Sequence, residues 1–499
     1  MKRIFGHLIF FLIIISSIRI IGQEKEYQEY KNDVFWSNDN RFAHVLLNRA
    51  QSAQSHITWG TGHHTASPVP VGAIGPEKYT NQLKGVVSND LIGRVTREAV
   101  NDGVNVILMV GDGMGINHMS LPIYMRIAEG DTNKTYFEKI MKEGSCGISF
   151  TNPANGIVTG SAASGTALAT GHKTFINMIS VDTNGYPLES TLELAQKLNF
   201  GTGLVTDAGI TDATPAVFYA HKYNRNLEND IAEQLANQHV DVVFGGGAAK
   251  FIPKGTQLKD YKYYKDSPFI NQSWSNRDDN KNLFAMFEAK GYSIISNKDD
   301  LAKLSDDTKK VIGLFAGGGI SPAINRDTEQ TGEPSLVDLS KKAVDLLSKN
   351  HDKFFIMIEA GRIDWEAHDN DAGSVYKAVA EMNQMLKVCY DFQKKNTNTL
   401  LVFTADHETG GLGIAYTDAK EEYKKQLPSG DEWTSGTDPL SFQQFEKLKD
   451  QKKAVYKVFG EAKSAEELYK YVNDNSSYKI TMEDAEMIFN KLHGYEKSK

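Results

Sequence analysis

Two short stretches of the chain concentrate side chains that bind cations. In Glu359-Ala360-Gly361-Arg362-Ile363-Asp364-Trp365-Glu366-Ala367-His368, Asp364 and His368 are four residues apart. On a helix they project from one face and can grip one ion. Asp406 and His407 follow Thr399-Leu400-Leu401-Val402-Phe403, an apolar run that reads as a buried strand. Carboxylate-plus-imidazole pairs suit zinc. Two such pairs, each beside a strand end, point to a two-metal site for phosphoryl chemistry.

Three further segments carry oxygens, a hydroxyl and a guanidinium. Asp112 sits within Gly111-Asp112-Gly113-Met114-Gly115, where small neighbours let a metal or phosphate approach. The spacing does not match the GxGxxG dinucleotide fingerprint. Ser161 opens the small-residue run to Gly171. There it is expected to cap a helix whose positive end and free amides can hold a phosphate. Thr211-Asp212-Ala213-Thr214-Pro215 offers oxygens for a hard cation such as magnesium, and the chain then reaches His221 and Arg225. Arg225 can fork onto two phosphate oxygens. Taken singly, these are equally a glycine turn, an ordinary serine cap and a surface arginine.

These residues need a frame. Strand-like runs occur at Asn105–Val110, Gly203–Thr206, Val240–Phe244, Val311–Phe315 and Phe354–Ile358. Helical patterns intervene, for example Ser190–Leu198, Ser335–Ser348 and Val375–Lys394. Such alternation predicts an α/β fold with a mostly parallel sheet and helices on both faces. Ligands there bind outside the carboxyl ends of strands, where Asp112, Glu359 and Asp406 fall. Residues 253–298 and the Lys/Glu-rich stretch 416–492 break the alternation and read as surface excursions, the second one helical.

Met1-Lys2-Arg3 followed by a short apolar run, with cleavage expected near Gly22-Gln23, reads as a signal peptide over residues 1–22. The alternative is a membrane anchor, for which the run is short. A net charge of −8 argues against a nucleic-acid binder. The two cysteines, Cys146 and Cys389, are expected on a strand and a helix, either paired or as separate buried thiols.

In order and spacing, the glycine-flanked Asp112, Ser161-Ala162-Ala163-Ser164, Asp212-Ala213-Thr214-Pro215 with Arg225, Glu359 to His368, and Thr404-Ala405-Asp406-His407 together resemble the alkaline phosphatase family. The resemblance implies Ser161 as nucleophile and Arg225 as phosphate clamp. It implies a first zinc on Asp364 and His368 and a second on Asp112, Asp406 and His407. It also implies a magnesium held by Thr214 and Glu359 beside Asp112, with Asp212 in its outer layer. Small phosphate monoesters are the implied substrates, and the implied location is periplasmic or secreted. Relatives are often dimers, so a homodimer is among the implied states.

One ligand is out of place. The family's first zinc takes a further His from a Gly-His-Thr segment near the C-terminus, followed by an apolar strand and Gly-Pro. After His407 only His493 remains, without that context. Trp59-Gly60-Thr61-Gly62-His63-His64-Thr65 leads through Val69–Ile74 to Gly75-Pro76 and looks like the missing segment, at the front. The expectation is a circularly permuted member. It comprises a signal peptide (1–22) and a single catalytic domain (23–499). Within that domain, 23–98 corresponds to the family's C-terminal part, 99–104 joins it to the core at 105–415, and a helical excursion covers 416–499. His64 is the expected ligand, with His63 as the alternative; a chance match is the competing account. Gly160 stands where many relatives carry an Asp that steadies the clamp, so a looser Arg225 is expected. Trp365, beside Asp364, occupies a position where relatives vary. Competing functions are a phosphodiesterase of the same superfamily and a catalytically silent metal- or phosphate-binding protein.

Overall fold

Val106, Leu108 and Val110 alternate with Ile107 and Met109 along one strand. The first set is buried in one hydrophobic cluster and the second in another. A strand apolar on both faces must be covered on both, and that dictates a layered α/β architecture. The computed structural model describes residues 54–265, 273–329, 331–457 and 462–496. The expected signal peptide lies outside the described residues.

The strands are β1 (Ile57–Trp59), β2 (His64–Thr65), β3 (Val69–Ile74), β4 (Gly85–Ser88), β5 (Asn105–Gly111), β6 (Ser145–Phe150), β7 (Gly201–Gly209), β8 (Val242–Gly246), β9 (Ser293–Ile295), β10 (Val311–Leu314), β11 (Phe354–Ala360), β12 (Thr399–Thr404), β13 (Glu408–Thr409), β14 (Leu412–Ile414), β15 (Thr417–Gln426) and β16 (Glu432–Asp438). Ten of them form one sheet in the order β4-β6-β3-β12-β5-β11-β7-β8-β10-β9. Only β3 runs against the rest, antiparallel to both β12 and β6. The expected strands are all present, and the mostly parallel sheet with helices around it is the fold observed. Helix α1 (Asn89–Asn101) packs in the first cluster through Ile92, Val95 and Ala99. The long α4 (Ala372–Lys395) packs in the second through Val375, Val379 and Met382.

The direction of β3 decides where the front of the chain goes. An antiparallel strand enters a parallel sheet at the edge where its neighbours end. Residues just before Val69 therefore arrive at the carboxyl edge, beside Asp112 and Asp406. After β3, α1 lies against α2 (Ser161–Thr170), the helix that begins with Ser161. Asn89 Nδ2 donates to Ser164 Oγ at 3.0 Å across that contact. The joining stretch is shorter than expected: α1 continues to Asn101, and only Asp102–Val104 link it to β5.

Three expectations are corrected. The start of 416–499 is a β-hairpin, β15 with β16, because Leu427-Pro428-Ser429-Gly430 makes a turn with Gly430 at φ +93° and proline ends any helix; helices follow only from Phe442. The described parts of 253–298 are built into the core: Leu258, Tyr264, Phe284 and Phe287 are buried in the first cluster, and β9 extends the sheet. Tyr261 and Tyr263 pack against that cluster, whereas Trp274 is exposed. Cys146 and Cys389 are both free, with Cys146 exposed and Cys389 buried.

Gly93 tests the support of the Ser161 helix by the front segment. A Cβ there would lie 2.2 Å from Ala167 O and 2.7 Å from Gly171 N, both backbone atoms of or beside α2. Gly93→Ala is expected to destabilise the protein by about 1–3 kcal/mol, read as a lower denaturant midpoint at unchanged slope.

Candidate metal and phosphate centre

β5, β11 and β12 are adjacent, so their carboxyl ends deliver Asp112, Glu359 and Asp406 side by side. Gly113 follows Asp112 at φ +73°, and a Cβ there would come within 2.8 Å of Asp364 Cα. Glycine thus lets the turn after β5 press against α3 (Arg362–His368), which carries Asp364 and His368. Asp207 anchors the start of α3, accepting from the amides of Gly361 at 2.7 Å and Arg362 at 3.1 Å.

Two groups of ligand atoms converge. In the first, His64 Nε2 lies 3.1 Å from His368 Nε2 and 3.6 Å from Asp364 Oδ1, and His368 Nε2 lies 3.3 Å from Asp364 Oδ2. In the second, His407 Nε2 lies 3.3 Å from Asp112 Oδ1 and 3.2 Å from Asp406 Oδ2. Asp364 also belongs to this second group, with Asp112 and His407, so its carboxylate spans both. The rings of His64 and His407 stack at 3.7 Å between centroids. The sequence alternative, His63, belongs to neither group.

The tautomers follow from the outer contacts. His64 Nδ1 is 2.9 Å from Thr159 O, and His368 Nδ1 is 2.7 Å from Gly62 O. Carbonyl oxygens only accept, so both Nδ1 atoms donate and the neutral rings turn Nε2 lone pairs toward each other. Two lone pairs facing at this distance, with a carboxylate beside them, are the donor set of a cation site.

Electrostatics agrees. Burial, then the charges of Asp406 and Asp364, hold Asp112 well above the usual carboxylate range. Burial and Asp364 push Asp406 up to about 7. Glu359 is raised well above its ordinary value, chiefly by burial. Asp364 goes the other way: burial would raise it, but His368 and His64 hold it well below. Burial, then the neighbouring His64, lowers His407. Asp112 Oδ1 and Asp406 Oδ2 are buried without a hydrogen-bond donor. Clustered buried anions with orphaned oxygens are costly alone and fit a bound cation.

Ser161 is the first residue of α2, and Gly160, not Ser161, occupies the cap position. Its hydroxyl therefore has no capping role and lies 3.2 Å from His407 Nε2. Arg225 is not left loose by Gly160: its guanidinium is ion-paired to Asp212, and its backbone amide donates to Asn177 O at 2.9 Å. Asp212 also caps the short helix bearing Thr214 through the Ala213 amide. Thr214 Oγ1 donates to Asp112 Oδ2 at 3.1 Å, and Thr206 Oγ1 donates to Glu359. Two further residues singled out in the sequence have contacts outside the two ligand groups. His221 bridges Ser180 O and Glu193, and Trp365 packs under Arg362 and against Gly319.

The profile of the alkaline phosphatase family matches residues 104–490. The chain belongs to the alkaline phosphatase family. Alkaline phosphatase 4 of Bacillus subtilis is 36% identical over 333 residues, 65% of this chain and 66% of that protein. Alkaline phosphatase 3 of the same organism is 35% identical, covering 69% and 70%. The chain thus spans about two thirds of these curated relatives. The crystal structure of Thermus thermophilus alkaline phosphatase superposes with a TM-score of 0.63 at 25% identity, covering 79% of this chain and 77% of that one. That of the Antarctic bacterium TAB5 gives 0.52 at 27%, covering 67% and 88%. The family match takes in Asp112, Ser161, Arg225, Asp364, His368, Asp406 and His407, while His64 lies in front of it.

Several contributors to this alkaline phosphatase family site went unread in the sequence. Thr206, Asp207, Thr409 and Glu408 hold Glu359, α3, Asp364 and Thr65 respectively. Only the nearness of Glu408 and Thr409 to His407, one and two residues on, could have signalled two of them.

Asp406→Asn checks the electrostatic reading. A carboxyl raised on folding stabilises below its unfolded value and loses that contribution as pH rises through about 7. In metal-free protein the Asn variant is expected to melt higher than wild type at and above pH 7 and to converge with it toward pH 4. It is also expected to lose most of the thermal shift that zinc gives wild type.

Proposed function

We propose that the chain hydrolyses phosphate monoesters through a phosphoserine on Ser161, at a site for two zinc ions and one magnesium. The observation that carries this reading is the facing of His64 and His368 Nε2 at 3.1 Å, with both Nδ1 atoms committed to carbonyls. His64, Asp364 and His368 would hold one zinc, and Asp112, Asp406 and His407 the other. Asp112, Thr214 and Glu359 would hold magnesium, with Asp212 outside them. The mixed nitrogen and carboxylate donors suit zinc, and the carboxylate and hydroxyl set suits magnesium. Bound there, the ions would supply Lewis acidity and would lower the pKa of the serine hydroxyl.

The chain's own residues do the rest. Ser161 gives its hydroxyl proton to solvent and Oγ attacks phosphorus in line, its new O–P bond forming as the ester P–O bond breaks and the alcohol leaves with a solvent proton. Arg225, aligned by Asp212, forks onto the equatorial oxygens, where most catalysis of phosphoryl transfer resides. The amides that open α2 face the same charge. Water then cleaves the Ser161 ester from the opposite side of phosphorus and releases phosphate. Two in-line displacements give net retention.

The position of His64 supports a circular permutation. The segment before the family match carries the Gly-His-His-Thr motif, runs into an interior strand of the sheet, and brings His64 against Asp364 and His368. For location, the basic start and apolar run favour export to the periplasm or outside; among the described residues no helix is long and apolar enough to cross a membrane.

The test is turnover of a chromogenic phosphate monoester beside the matching diester at pH 9 with zinc and magnesium. Monoester preference is expected. Ser161→Ala is expected to lower kcat at least about 10²-fold, and His64→Ala more than about tenfold with loss of one zinc. Diester preference would move the reading to a phosphodiesterase. Full activity in His64→Ala would remove the permuted ligand. Inversion at a chiral phosphate would remove the Ser161 intermediate.

A further inference from the structure

His64 comes from a segment 304 residues away from His368, so something must hold that segment in register. Besides the side-chain bonds of His368 and Asn370 to Gly62 O and Thr61 O, its backbone bonds to one turn. The amides of Gly60 and Thr61 donate to Gly410 O, and Gly410 N donates to His63 O at 2.9 Å. β2 and β13 then pair over two residues, Glu408 with Thr65 and Thr409 with His64. A ladder that short is marginal by itself. The turn it hangs on is no firmer: Gly410 and Gly411 are both in the left-handed region, at φ +89° and +59°, and glycine there is the residue freest to leave.

Glu408 closes this arrangement. Its buried carboxylate, 4% exposed, accepts from the amides of Gly411 and Leu412, each at 3.2 Å, and from Thr65 Oγ1. One side chain thus fixes the diglycine turn and clamps the residue next to His64. Gly115, in the turn that carries Asp112, leaves it room: a Cβ there would come within 2.3 Å of Glu408 Cγ. His118 Nδ1 stands 3.7 Å from its other face. Charge-assisted bonds from a buried carboxylate are the strong kind.

We propose that Glu408 is a positioning residue for His64, acting through Thr65 and the Gly410–Gly411 turn and not by touching an ion. The proposal rests on His64 being a zinc ligand. Metal-binding imidazoles depend on outer contacts of this type, whose removal typically costs about 10–100-fold in affinity.

The test uses the full zinc-loaded chain and two variants that keep side-chain size, Glu408→Gln and Thr65→Val. Transfer of zinc to a chromogenic chelator is followed, together with hydrogen exchange of residues 60–66 in metal-free protein. The expected result is one zinc equivalent leaving about tenfold faster in both variants, the second at the wild-type rate, and faster exchange confined to 60–66. Unchanged zinc release overturns the proposal, and so does equal acceleration of both equivalents, which would mean general loosening. If wild type takes up no zinc, the ligand reading of His64 fails. Exchange then decides the tether alone: faster exchange of 60–66 supports Glu408 as its anchor, and unchanged exchange overturns it.

Discussion

Mutual repulsion among buried carboxylates is the constraint on which the rest of this structure depends. Asp112, Glu359, Asp364 and Asp406 are all buried at one edge of one sheet, and Asp112 and Asp406 each keep an oxygen without a donor. A fold that places anions so close cannot be optimised for the metal-free chain. Imidazoles enter the same space with their Nε2 atoms turned inward, and the donors that would otherwise neutralise the cluster are spent on holding rings and helix ends. The arrangement trades stability for a place where positive charge is wanted.

That charge geometry explains the rigidity around it. Each ligand-bearing turn is fixed by something other than its ligands: Asp207 on the first amides of α3, Asp212 on both the Thr214 helix and Arg225, Thr206 on Glu359. Asp212 also bears on an expectation raised by Gly160: Arg225 is ion-paired to it, so the guanidinium is held. A Cβ at 160 would lie 3.6 Å from the His64 ring, an ordinary contact distance, so the ring does not require glycine there.

The reversed strand β3 links these local facts to the path of the front segment. A parallel sheet ordinarily offers its carboxyl edge only to loops that leave strands. One antiparallel strand next to β12 lets a segment arrive there before its strand begins, and His64 uses that entry. The same segment continues into α1, whose Gly93 and Asn89 sit directly on the Ser161 helix. The front of the chain thus supplies both an imidazole beside Asp364 and His368 and packing for the Ser161 helix.

The sequence by itself determined the strands, because runs such as Val106–Val110 and Leu400–Phe403 are apolar on every position and leave no other way to bury both faces. It also determined the type and order of the chemical groups, since Asp364 and His368 are one helical turn apart and Asp406 and His407 are adjacent. It misjudged segments whose composition is ambiguous: 253–298 read as a surface excursion but puts Tyr264 and Phe284 in the core, and the Lys/Glu-rich stretch from 416 read as helix but begins with the hairpin of β15 and β16, turned at Pro428 and Gly430. Only the tertiary structure decided which histidine faces His368, that Ser161 is free of capping, and that Thr65, Glu408 and Asp207 hold the site together. Those choices depend on hydrogen bonds between residues hundreds of positions apart, and no local periodicity encodes which carbonyl a ring nitrogen will meet.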